Sequence, residues 1–134
     1  MAADQSPPPV VAVLNSNDDT VEMLRMMVEV EGMLAVSAHL DAIKRGELDF
    51  GNFLREHDPK VIIFDIAPPY DRTWLLFRHL RGVDSAKGRT FVLTTTNKER
   101  LLEIAHPDHE VYEIVGKPYD LQLIVNAVKK AVGI

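Results

Sequence analysis

The chain is 134 residues long, carries a net charge of −5, is 46% hydrophobic and contains no cysteine. That length suits one domain with a real core, and the balance of charge and apolar residues is that of a globular protein rather than a disordered chain or a coiled coil. Without cysteine there is neither a disulfide nor a thiolate metal site, the negative charge argues against nonspecific nucleic-acid binding, and no apolar run approaches a membrane span. The start, MAADQSPPPV, lacks the basic and apolar regions of a signal peptide. A soluble, cytoplasmic protein is expected.

Residues 1–9 form a polar tail ending in prolines, expected to be mobile, and residues 10–134 form the domain. Val10–Leu14 (VVAVL) is a short apolar run fit for a strand buried on both faces. It runs into Asn15, Ser16, Asn17, Asp18 and Asp19. A helix follows with Val21, Leu24 and Val28 on one broad face, stopped near Gly32. Leu34–Ala38 reads as a second strand. Asp41–His57 is a weaker helical region on Ile43, Leu48, Phe53 and Leu54; Gly46 and Gly51 interrupt it, so two short helices or one helix with a loop both fit. Lys60–Ile66 (KVIIFDI) is the strongest strand, broken by Asp65 and ending in Ala67-Pro68-Pro69. Arg72–Arg81 is helical, with Trp74, Phe77 and Leu80 at core spacing. Thr90–Thr94 is the fourth strand, Lys98–Ala105 a short helix, and Val111–Val115 a less hydrophobic fifth strand suited to a sheet edge. Tyr119–Val132 closes the chain as an amphipathic helix on Leu121, Ile124, Val128 and Val132. Five strands alternating with five helices imply an α/β fold: a five-stranded parallel sheet, doubly wound, with helices on both faces.

In such a sheet the C-terminal strand ends converge on one rim. There the chain places Asn15 and Ser16, Asp65, Thr94 and Thr95, and Lys117. A carboxylate at the end of an apolar strand costs several kcal/mol to desolvate unless it is paired or wet. Lys117 is the available cation, and Pro118 fixes the turn behind it. A carboxylate, an ammonium and a hydroxyl on neighbouring strand ends suit phosphoryl chemistry: the carboxylate accepts the group, and the other two hold its oxygens.

The pieces VIIFDIAPP, VLTTT and VGKPYDLQLIVNAV, in that order, resemble the receiver domain of two-component response regulators over Val10–Val132. The resemblance implies a flavodoxin-like sheet of strand order 2-1-3-4-5. It also implies an aspartyl-phosphate at Asp65, with Thr94 and Lys117 contacting the phosphoryl oxygens. A sensor histidine kinase, a phosphotransfer protein or a small phosphodonor would supply the phosphate. Receivers also use Mg²⁺, held by an acidic pair at the end of strand one, by the phosphoacceptor, and by a backbone carbonyl two residues on, here Ala67.

Here the chain departs from that family's pattern. The acidic-pair positions fall on Asn15 and Ser16, which leaves Asp65, Asn15 and Ser16 as a degenerate metal set. Two unit charges about 4 Å apart attract by roughly 4 kcal/mol at an effective dielectric of ~20. A net loss of ~3 kcal/mol after desolvation would weaken Mg²⁺ binding by about 100-fold. Neutral oxygens can ligate Mg²⁺ but do not offset its dehydration. Asn17 is expected to cap the first helix, with Asp18 and Asp19 in its first turn complementing the dipole; the competing reading bends one of them back as a ligand. The switch position three before the lysine is Ile114, where receivers commonly carry an aromatic residue, and Tyr112 lies on the same strand face. The glycine that usually follows the strand-three proline by a few residues is replaced by the stretch Tyr70-Asp71-Arg72-Thr73-Trp74.

Trp74 and Phe77 are expected in the core, His39, His57 and His79 at the surface, and His106 and His109 in a solvated loop rather than a metal site. No GxGxxG or GxxxxGK[ST] follows a strand, which disfavours dinucleotide and P-loop sites. The expected function is a receiver domain that is not itself an enzyme. It would take phosphate on Asp65 and signal through a downstream protein or a second copy docked on the fourth helix, fifth strand and last helix. No output domain fits in this length. The alternatives are a pseudo-receiver working as a phosphorylation-independent interaction module, and a flavodoxin-like binder or small enzyme using the same crevice.

Overall fold

The computed structural model describes residues 7–104, the backbone of 113–116, and 121–134. In chain order the elements are β1 (Val10–Asn15), α1 (Asp18–Val30), β2 (Leu34–His39), α2 (Leu40–Lys44), α3 (Phe50–His57), β3 (Val61–Ile66), α4 (Tyr70–Arg81), a 3-10 turn (Asp84–Ala86), β4 (Thr90–Thr95), α5 (Lys98–Ile104), β5 (Glu113–Gly116) and α6 (Leu121–Val132). All strand pairs are parallel and the order is β2-β1-β3-β4-β5. The weakly apolar fifth strand is at an edge, as its composition predicts.

Alternating side chains of the central strands face opposite ways, and each set meets its own helices. Val11, Val13, Val61, Ile63 and Val92 pack with Leu24 and Val28 of α1 and Ile124 and Val128 of α6. Ala12, Leu14, Ile62, Phe64, Phe91 and Leu93 face Phe53 and Leu54 of α3, Phe77 of α4 and Leu101 of α5. This is why VVAVL and VIIF read as unbroken apolar runs: neither face of these strands meets water. Phe77 centres the second layer, its ring 5.4 Å from Phe64, 5.2 Å from Trp74 and 5.2 Å from Phe91. Trp74 and Phe77 are thus core residues, as expected.

Two sequence expectations are revised. The weak region 41–57 is two helices, one of the two arrangements expected there, so the described residues hold six α-helices where five were expected. His39 Nδ1 accepts from the Asp41 N–H at 3.2 Å to open α2, Asp49 Oδ1 accepts from the Asn52 N–H at 3.0 Å to open α3, and Gly46 takes φ 74° at the break between them. The left-handed region that φ occupies is open to glycine without a Cβ penalty. Helix α4 begins at Tyr70, directly after Pro69, rather than at Arg72. A proline has no N–H to satisfy and suits the entry to a helix. At the sheet's opposite end Arg89 holds the α3 terminus and the strand-three entry together. Its guanidinium donates to Asp58 Oδ1 and Pro59 O, both at 2.7 Å, and its Nε donates to Ser85 O at 2.6 Å. Among the described residues no helix is long and apolar enough to cross a membrane.

Candidate functional site

Register builds the site. Asp65 and Thr94 are paired across β3 and β4, and Asn15 and Asp65 each stand one residue past the paired Leu14 and Phe64. Three polar residues from three adjacent strands therefore end at one level of the sheet. All three are buried: Asn15 is 4% exposed, Asp65 7% and Thr94 0%. A buried carboxylate needs donors, and Thr94 Oγ1 supplies one, donating to Asp65 Oδ1 at 2.7 Å. This is the length expected of a charge-assisted bond. The next threonine points elsewhere. Thr95 Oγ1 donates to Ile66 O at 2.9 Å and accepts from the Asn97 N–H at 3.3 Å, and so shapes the exit toward α5. Of the VLTTT hydroxyls, the alternation of the strand selects Thr94 for the carboxylate.

At the strand-one exit, Asn15 Oδ1 accepts from the Asn17 N–H at 2.9 Å, an Asx turn that reverses the chain into α1. Asn17 Oδ1 then accepts from the Thr20 N–H at 2.9 Å. Asn17 is the cap that the sequence suggests, with Asp18 and Asp19 in the first turn of α1. Ser16, Asp18 and Asp19 are exposed. Neither acid bends back into the site.

The β3–α4 connection carries two contacts that residue types alone did not reveal. Thr73, one turn into α4 and 2% exposed, donates from Oγ1 to Ala67 O at 2.7 Å. Tyr70 hydrogen-bonds Thr96 Oγ1 through its hydroxyl, which ties the β3–α4 loop to the β4–α5 loop across the rim. The only signal for either in the sequence is a hydroxyl-bearing residue just after a Pro-Pro pair.

Lys117, Pro118, Tyr112, His106 and His109 lie outside the described residues. Ile114 is described by its backbone, which pairs with Leu93. Asp65 has a further interaction beyond that with Thr94.

The donor set is poor in charge for a divalent cation of the kind receivers use. Mg²⁺ asks for near-octahedral oxygens with carboxylate charge to offset dehydration. Here the Ala67 carbonyl and the Asn15 amide oxygen each accept an internal hydrogen bond, and Ser16 faces solvent. Among the described residues no group of three or more His, Cys, Asp or Glu is placed to hold a metal.

No family model matches the sequence, and neither does any curated protein. Solved structures do. A sensor protein from Polaromonas sp. JS666 is 18% identical with a TM-score of 0.69, covering 95% of this chain and 98% of its own. The signal receiver domain of an HD domain-containing protein from Pseudomonas fluorescens Pf-5 is 18% identical with a TM-score of 0.68, covering 95% and 96%. A response regulator receiver protein from Pseudomonas putida is 19% identical with a TM-score of 0.66, covering 93% and 98%. At these identities the shared property is the backbone architecture, matched over nearly the whole of each chain. With a parallel 2-1-3-4-5 sheet and a buried Asp–Thr pair at its rim, this chain has the fold of the response regulator receiver domain.

Proposed function

We infer that the chain is a receiver-fold module of two-component signalling, cytoplasmic, without catalytic turnover of its own, which works through contacts with other proteins. The observation that carries this is the hydrogen bond from Thr94 Oγ1 to the buried Asp65 carboxylate, made in register between β3 and β4. It reproduces the acceptor-and-hydroxyl pair of the receiver resemblance. The upstream partner is a sensor histidine kinase or a phosphotransfer protein. The output surface is the flank of α5, β5 and α6, where Leu102, Leu121 and Leu123 are exposed, and it serves a downstream protein or a second copy.

Two modes remain for Asp65. The internally bonded Asn15 and Ala67 oxygens favour a phosphorylation-independent module in which Asp65 is a resting anion. A divalent ion would offset the repulsion between the negative phosphodonor and the carboxylate, and that help is weakened where the oxygens around Asp65 carry no charge. The second mode, favoured by the retained Asp65–Thr94 pair, keeps Asp65 as phosphoacceptor with Thr94 and Lys117 on the phosphoryl oxygens. Incubation with acetyl phosphate, with and without Mg²⁺, separates them by intact mass. The first mode predicts no added phosphoryl group under either condition. Mg²⁺-dependent labelling that disappears in Asp65→Asn would overturn it in favour of the second.

A further inference from the structure

Ala67 stands two residues past Asp65, where a receiver offers its backbone carbonyl to the cation. In this chain one of the two lone pairs of that carbonyl is already engaged. Thr73 Oγ1 lies 2.7 Å from Ala67 O and 3.2 Å from Pro69 O. A hydroxyl has a single hydrogen to donate, and the shorter contact places it on Ala67. The Thr73 N–H donates to Pro69 O at 3.0 Å, so Thr73 is tied to the β3–α4 connection by main chain and side chain together. Because Thr73 is 2% exposed, a hydroxyl displaced from Ala67 has no water to turn to and is left with the longer contact to Pro69 O at 3.2 Å, a weaker bond than the one it gives up. Thr73 belongs to the stretch that stands in place of the usual glycine, and a glycine has no hydroxyl to make this bond.

The other sides of the site are closed in the same way. Asn15 Oδ1 is held by the Asn17 N–H, whose own side chain caps α1, and Asp65 Oδ1 is held by Thr94. On three sides, oxygens that a cation would recruit are hydrogen-bonded to donors of this chain. We propose that Thr73 is a positioning residue that holds the Ala67 carbonyl in an internal hydrogen bond, which competes with a divalent cation for that oxygen independently of the acids at the end of β1. This rests on the phosphorylation-independent reading above and adds a cause to it. Loss of the acidic pair is one barrier to a metal and the Thr73 hydroxyl is a second.

The two barriers separate by substitution. Mg²⁺ is titrated calorimetrically, and in parallel by Trp74 fluorescence, into the full chain and into N15D/S16D, N15D/S16D/T73V and N15D/S16D/T73S, with the fold of each checked by circular dichroism. Valine keeps the volume of threonine and removes only the hydroxyl; serine keeps the hydroxyl. The expected result is that the T73V form binds Mg²⁺ about tenfold more tightly than N15D/S16D, the equivalent of one net hydrogen bond, while the T73S form matches N15D/S16D. Should T73V not fold, T73A carries the same comparison. Equal Mg²⁺ affinity with and without the hydroxyl overturns the role of Thr73, as does a T73S form that binds like T73V. Neither outcome touches the phosphorylation-independent reading, which falls only if the unsubstituted chain is labelled by acetyl phosphate in Mg²⁺ and the label is lost in Asp65→Asn.

Discussion

The two halves of the rim differ in what they keep. On the β3–β4 side, Asp65 and Thr94 sit in register, buried and 2.7 Å apart, an arrangement suited to presenting a carboxylate. On the side of β1 and the α4 entry stand the uncharged Asn15 and Ser16, and the Asn15 and Ala67 oxygens accept from Asn17 and Thr73. The first half is a matter of sheet architecture: parallel register places the Asp and the Thr opposite each other, and desolvation makes them bond. The second half is a matter of charge, and without charge its oxygens have settled on local donors. The carboxylate and the oxygens beside it are therefore built by different parts of the fold, and one can change without the other.

This contrast can be broken from below, from one side, or from the other. The largest effect is expected for Phe77→Ala, which removes the ring that packs on Phe64, Trp74 and Phe91. A loss of about 3–5 kcal/mol is expected from denaturant unfolding, because the ring supports β3, β4 and α4 at once. Thr94→Val should cost about 2 kcal/mol, since it strips a donor from a buried carboxylate while preserving shape. A neutral result would mean that the retained half is held by other partners of Asp65. Asn17→Ala should cost about 1 kcal/mol through the lost α1 cap, read as a lower unfolding midpoint with an unchanged slope. Smallest is the double change Asp18→Asn and Asp19→Asn, expected to cost a few tenths of a kcal/mol to about 1 kcal/mol at low salt and less at high salt, as dipole terms do. If that pair instead altered Mg²⁺ binding, the assignment of those acids to the helix start would be wrong.

Much of this was open to reading residue by residue. KVIIFDI marks a strong strand broken by one acid near its end, Asn17-Asp18-Asp19 marks a helix start, and the structure has β3 over Val61–Ile66 and α1 opening on that cap. The spacing of Trp74 and Phe77 identifies a core face, and both are buried. The interrupted region 41–57 stayed ambiguous because two glycines weaken a helix without saying where it restarts; the caps at His39 and Asp49 decide it. The residue pattern puts the α4 start two residues late, since Tyr70 and Asp71 carry no strong helical signal and the prolines before them read as a plain break.

By itself, then, the sequence determined what depends on local pattern: alternation of strand and helix, which residues are apolar enough to be buried, and which polar residues stand at strand ends. Only the tertiary structure decided which donor serves which acceptor. The bonds from Thr73 to Ala67, from Thr94 to Asp65 and between Tyr70 and Thr96 join residues six, 29 and 26 positions apart. Whether a hydroxyl reaches a particular oxygen at such separations depends on the path of the backbone between them, on strand register and on the direction of α4. Those are set by the packing of the whole sheet between its two helical layers, and no short stretch of sequence contains them.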